Sequence, residues 1–338
     1  MIGQVRTKLA NLRHELSSII SHHSLSLFIM NLGYLSITIT LLIWASFFLS
    51  LKGGANSDLT PADIALTRFL IPALVLLPLV WKARSAITAV PNHYLAGMFV
   101  GSGLPYLLVA GTAMQFVPVS HGSALVPGTL PLFVTGIAVL FFKQPLSRHR
   151  IVGLALVLLG ISLFLGGSLS SFNFEYTKGH LLFLCGSLMW ATFTISARVA
   201  NLNALVSAGF ISLCSTLLLL VLILTGTLPS HLMDTPIANW PYTELAVHSA
   251  VQGVGAGLIA AFTYLYAVNT LGAERSAAFG SATPAVATLL AIPLFNEIPD
   301  AMTWLALGSI CIGSLVASNI FMRNDQSMQY QPPSHSKA

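Results

Sequence analysis

Trp44-Ala45-Ser46-Phe47 and Trp190-Ala191-Thr192-Phe193 stand 146 residues apart, each well inside a long apolar run. A second match follows in the same order. Ser123-Ala124-Leu125-Val126-Pro127-Gly128-Thr129-Leu130-Pro131 returns as Ser276-Ala277-Ala278-Phe279-Gly280-Ser281-Ala282-Thr283-Pro284, at an offset of 153. At that offset Phe142 meets Phe295, Gln144 meets Glu297 and Gly160 meets Gly313. One tetrapeptide would be weak evidence, but two matches in order at nearly equal offsets point to a duplication.

The apolar runs around these motifs number ten: about 28–51, 62–81, 95–116, 120–142, 149–167, 179–199, 204–226, 248–268, 274–295 and 301–322. Each is close to the ~20 residues that cross a hydrocarbon core about 30 Å thick at about 1.5 Å per residue. Unbroken stretches such as Leu217–Leu224 exclude a membrane barrel, whose strands alternate. Five runs fall in each half. Five is odd, so the second copy enters the bilayer upside down relative to the first.

Composition agrees. Of 338 residues, 55% are hydrophobic and 7% charged, with a mean hydropathy of +0.81. A soluble domain carries roughly 25% charged residues. The net charge of +5 does not indicate nucleic acid, because the basic residues lie in short breaks between spans. With the N-terminus inside, the cytoplasmic segments hold Arg6, Lys8, Arg13, Lys82, Arg84, Lys143, Arg148, Arg150, Arg198, Arg275, Arg323 and Lys337. The opposite side holds Lys52 and Lys178, and Arg68 falls within span two. That bias places both termini in the cytoplasm. Residues 1–27 form a basic arm, 28–167 and 179–322 the two five-helix repeats, and 323–338 a disordered tail. The run 28–51 is too long for a signal-peptide core and is retained as a helix. Cys185, Cys214 and Cys311 each sit in an apolar run without CxxC spacing and read as core residues.

Inverted repeats are the signature of many secondary transporters, which bind solute near the midplane at the repeat interface. The order of the W-A-x-F motifs, Thr67-Arg68-Phe69-Leu70 in span two and the Pro-centred spans four and nine resembles the drug/metabolite transporter superfamily, specifically its EamA-type members. The resemblance covers about residues 30–322. It implies an inner-membrane carrier that moves an amino acid or related metabolite, in the direction of export, by alternating access. Such members usually have an acid after span four, where this chain has Gln144; Glu297 keeps it after span nine.

Trp44 and Trp190 are the leading solute contacts, since an inverted pair converges on the central axis and indoles offer a stacking face and an N–H. Plain helix packing accounts for the same residues. Tyr106 and Tyr264 add polar handles in spans three and eight, and Thr194 with Gln115, Gln252 and Asn269 are weaker candidates. Arg68 is the ionisable exception within the spans. It either anchors structurally, with Asp63 as an ion-pair partner, or meets an anionic solute group. His121 and His248 open spans four and eight and titrate near neutrality; they suit proton coupling or are solvated loop-end histidines. Gly97-x-x-x-Gly101 and Gly253-x-x-x-Gly257 permit close helix approach. Pro127, Pro131, Pro284 and Pro293 permit either hinges or static kinks. No metal pair, cofactor motif or phosphate loop is present in the sequence, and nothing in it fixes the oligomeric state. Few charges line the expected cavity, which favours a neutral or zwitterionic small-molecule solute, with lipid as the other partner. A membrane-embedded enzyme and a non-transporting scaffold or sensor are the competing classes.

Overall fold

A leucine-rich run surrounded by lipid has no water for its amides, so each N–H and C=O must be satisfied within the run, and the α-helix does this. The structure, a computed structural model, describes residues 2–143, 145–170 and 172–317. Helix α1 (Ile2–Ala55) carries span one, so the basic arm and the span form one helix. Span two is α2 (Pro61–Lys82), followed by the short α3 (Arg84–Thr88). Span three divides into α4 (Asn92–Ser102) and α5 (Leu104–Met114). Spans four to seven are α6 (Val119–Phe142), α7 (Arg148–Ser170), α8 (Phe174–Ala200) and α9 (Ala204–Leu224). A connection containing α10 (His231–Asp234) leads to span eight. That span joins α11 (Tyr242–His248), a π-helical stretch at Ser249–Ile259 and α12 (Ala260–Leu271). Span nine is α13 (Ala273–Gly280) with α14 (Thr283–Phe295), and span ten is α15 (Ala301–Ala317).

Among the described residues eight helices are long and apolar enough to cross a membrane, while α14 and α15 are shorter apolar helices. The protein is therefore an all-helical membrane protein of about ten helices. The tail 323–338, the end of span ten and Gln144 lie outside the described residues.

Contacts between connections confirm the up-down alternation. Lys52, near the end of α1, reaches Val117 after span three and Glu297 after span nine. Thr60, before span two, bonds the Pro229 carbonyl after span seven. His121 joins the start of span four to His180 of span six and Thr303 of span ten. All five odd-numbered connections thus share one end of the bundle, here termed the Lys52 face. At the other end, the Arg150 guanidinium meets the Ala317 carbonyl.

The duplication is visible in reciprocal packing. A Cβ on Gly160 would collide with Ile310 and the Ala306 carbonyl; one on Gly313 would collide with the Gly153 carbonyl and the Val157 amide. Gly160 and Gly313, Gly153 and Ala306, and Val157 and Ile310 are each 153 residues apart. Residue i of one copy therefore meets j of the other while the equivalents of i and j meet in reverse, which is what a two-fold axis produces. This places α7 against α15 through backbone-close contacts. The G-x-x-x-G segments behave in the same way. Gly101 lies against the Met189 carbonyl of α8, and Gly257 against Pro72 and Arg68 of α2.

The prolines have different local roles. Helix α6 runs unbroken through Pro127 and Pro131; Pro284 sits in the first turn of α14, where its missing N–H is harmless, and Pro293 lies inside α14.

Overpacking the two-fold contact is expected to destabilise the protein. Gly313→Leu should cost about 1–3 kcal/mol and lower the thermal unfolding midpoint in detergent. Gly308→Leu, whose added Cβ meets nothing within 4 Å, should leave the midpoint unchanged.

Candidate functional site

Two aromatic pairs occupy the interior, on spans that the repeat exchanges. Trp44 of α1 packs on Tyr264 of α12 with ring centroids 5.2 Å apart, and Trp190 of α8 packs on Tyr106 of α5 at the same distance. Span one meets span eight in the first pair; span six meets span three in the second. Both pairs are tilted or edge-on, the arrangement ring quadrupoles prefer. Phe193 adds a third ring 5.4 Å from Trp190, and the break in span nine brings Gly280 against the Trp44 ring. Trp44 and Trp190 lie near the middle of spans that run in opposite directions. They therefore straddle the midplane of the bundle.

The polar ends of these rings are uncommitted. Neither indole N–H nor either tyrosine hydroxyl has a hydrogen-bond partner among the described residues, and none of the four atoms is sealed from its surroundings. Buried polar groups are normally paired. These four, two on each aromatic pair, carry no such partner. Thr194, one turn after Trp190, instead donates its hydroxyl to the Trp190 carbonyl, and Gln115 and Asn269 are exposed at helix ends.

The helices nearest these rings are the irregular ones. Span three breaks at Gly103, and the freed Leu104 N–H donates to the Ser215 hydroxyl of span seven. Span eight widens into its π-helical stretch, where the Gln252 carbonyl accepts from the Arg68 guanidinium of span two at 3.0 Å. Spans seven and two are repeat equivalents, as are spans three and eight. Each copy thus satisfies the distorted helix of one half with a polar side chain from the other. The Gln252 side chain donates to the Phe47 carbonyl, and its Oε1 is buried without a donor.

Asp63 is not the partner of Arg68. Its fully buried carboxylate accepts from the Thr60 N–H and hydroxyl, the Ser230 hydroxyl and the His231 N–H. With Thr60 it forms a capping box at the start of α2 and ties the 229–234 connection down. Five residues is the wrong helical spacing to share a face with Arg68.

Two further polar clusters lie toward the Lys52 face. Lys52 and Glu297 form an ion pair at 3.2 Å, both largely buried, and the second Glu297 oxygen accepts the Val119 N–H at the start of α6. Neither histidine singled out above is a solvated loop end. His121 is buried with its Nδ1 2.8 Å from His180 Nε2, and buried His248 bonds the Ser50 hydroxyl at 2.7 Å through its own Nδ1. His180, Ser215 and Lys52 carried no signal of these roles in the sequence, since each acquires its partner from the other repeat. Beside this cluster Asp300 receives the Thr303 hydroxyl and amide, which hold its carboxyl below the usual range.

Comparison with known proteins fits this architecture. The EamA-like transporter family model matches residues 31–166 and again 177–319. The chain belongs to the EamA-like transporter family. It is similar to the uncharacterized inner membrane transporter YedA of Escherichia coli K12, 28% identical over 280 residues, covering 80% of this chain and 85% of that protein. An uncharacterized transporter of Archaeoglobus fulgidus is 23% identical over 283 residues, covering 82% and 93%. A solved crystal structure shares the fold with a TM-score of 0.56 at 20% identity, over 84% of this chain and 96% of that one. This EamA-family chain is thus a multi-pass membrane transporter; its relatives carry the transporter description rather than that of an enzyme.

The Lys52–Glu297 pair is testable by a double-mutant cycle. Lys52→Met and Glu297→Gln should each lower the unfolding midpoint, and the double variant should lose less than their sum. A coupling of about 1 kcal/mol or more distinguishes a largely buried pair from an exposed one.

Proposed function

We propose that this EamA-family transporter carries a small, neutral or zwitterionic organic solute, of the amino-acid or related metabolite class, out across the inner membrane by alternating access. The observation that carries the reading is the exchange-related pair of aromatic contacts, Trp44–Tyr264 and Trp190–Tyr106, with four uncommitted polar atoms. A planar or aliphatic solute would stack on the rings and take the free N–H and hydroxyl groups. Arg68 would offer an anionic solute group its remaining donors. Pro127 and Pro131 of α6, with Pro284 and Pro293 of α14, would supply the bends of the moving helices. The basic connections support cytoplasmic termini and an outward Lys52 face, and the relative described as an inner membrane transporter supports the inner membrane.

Proton coupling belongs to the same proposal. In the His121–His180 pair the one nitrogen–nitrogen contact needs a single proton, donated by one ring and accepted by the other, so an added proton would change how the two repeats are joined. Asp300 and Lys52 face His121, and Tyr176 packs on it edge-on. His248, bonded to Ser50 and one turn beyond Glu244, is the second coupling candidate.

In proteoliposomes loaded with a metabolite panel, Trp44→Ala and Trp190→Ala are each expected to reduce flux of the transported solute at least tenfold while insertion is retained. Unchanged flux in both variants removes the rings from the site. An imposed pH gradient should drive wild-type flux, and His121→Gln should blunt that response. A C-terminal reporter active only in the periplasm would overturn the orientation.

A further inference from the structure

A second concavity of 480 Å³ lies toward the Lys52 face, between the end of span one, the start of span eight and the end of span nine. It is not the aromatic centre. Ser46, Leu49, Ser50 and Gly53 contribute its α1 wall, with Ser57 just beyond the helix end. At roughly 100° per residue these positions cluster on the side of α1 opposite Trp44. Phe47, Phe48 and Leu51, on the other side, belong to the main core. The helix itself therefore separates the cleft from the Trp44 ring.

The lining has two characters. Leu49, Val247, Val251, Leu294 and Phe295 make an aliphatic and aromatic floor, while Asn56, Thr243 and Glu244 stand at the mouth. The charges are unbalanced. Glu297, two residues past Phe295, is matched by Lys52, whereas Glu244 has neither an ion-pair nor a hydrogen-bond partner among the described residues. No lysine or arginine lines the cleft. His248 is the second unmet group: it is 5% exposed, its Nδ1 is taken by Ser50, and its Nε2 has no partner among the described residues. A nine-tenths buried imidazole with one free nitrogen in a ligand-sized cleft leaves a hydrogen-bonding position to fill.

We propose that this cleft is a second binding site, separate from the aromatic centre, for an amphiphile with a cationic amine head. The ammonium sits on Glu244 with the His248 Nε2 as a further partner, and the alkyl chain lies along Leu49, Val247, Leu294 and Phe295. A carboxylate that has no cation of its own at the mouth of an apolar cleft selects charge, and the floor selects hydrocarbon. The assignment stands independently of the transported solute and of the bundle's orientation.

The test uses the full chain in nanodiscs, with radiolabelled dodecylamine as probe and empty nanodiscs as the partition control. Saturable binding is expected, with dodecanol and dodecanoate competing at least tenfold more weakly. Glu244→Gln should weaken binding at least tenfold with an unchanged unfolding midpoint, and Ser50→Trp should abolish it by filling the cleft. If Ser50→Trp fails to fold, Val247→Trp serves the same end. Trp44→Ala should bind dodecylamine within twofold of wild type. Equal binding of dodecanol, unchanged affinity in Glu244→Gln, or loss of binding in Trp44→Ala would each overturn the proposal; the last would assign the amine to the aromatic centre instead.

Discussion

A backbone polar group that leaves its helix in lipid must find another partner inside the protein, and this requirement governs the arrangement of the bundle. Spans three and eight both depart from the α-helix, one by a break at Gly103 and the other by a π-helical stretch at Ser249–Ile259. Water does not rescue such groups at membrane depth. The partners come from neighbouring spans: Ser215 takes the Leu104 N–H, and Arg68 donates to the Gln252 carbonyl. An arginine in a span costs at least ~2.5–3.5 kcal/mol on insertion scales. Its placement is intelligible because the carbonyl, the Phe69 ring and the packed Gly257 replace part of the water it has lost.

The irregular helices, once stabilised, position the rings. Tyr106 follows the Gly103 break by three residues, and Tyr264 follows the π-helical stretch by five. Each tyrosine is thus carried on a regular segment just beyond a distortion and set against a tryptophan of the opposite repeat. A small change in the distorted segment would move the ring relative to its partner without breaking the rest of the helix. The reciprocal contact of α7 with α15 has the opposite character. Backbone packs directly on backbone there, with glycine and alanine leaving no side chain to reorganise. One part of the bundle is packed backbone to backbone, and the other through side chains on irregular helices.

Much of this was legible in the sequence because the determinants are periodic or repeated. Span count, helical class and duplication follow from apolar runs and from motifs at nearly constant offsets, and the choice of the two tryptophans follows from the duplication. What failed depended on side-chain partners far away in the chain. Asp63 looked like a partner for Arg68 by proximity in sequence, but its carboxylate turns to the α2 cap and the 229–234 connection. Span eight begins earlier than its apolar run, at Tyr242, which puts His248 inside the bundle; His121 does stand in the first turn of span four, and its burial comes from packing on His180. His180 was invisible as a partner, since only the packing of span four on span six brings it to His121.

The repeat is symmetric in shape and unequal in charge, and the inequality sits where the faces close. Lys52 and Glu297 join the end of span one to the connection after span nine, with Val119 bound to the same carboxylate. The tryptophan offset of 146 carries Lys52 to Arg198, so the cation has a counterpart. The offset of 153 carries Glu297 back to Gln144, so the acid does not. An amide can accept a hydrogen bond but cannot complete an ion pair. The two faces of an inverted repeat would be held equally only if both copies carried both charges. Here the Lys52–Glu297 ion pair ties the Lys52 face together, while the position equivalent to Glu297 in the first copy is an amide.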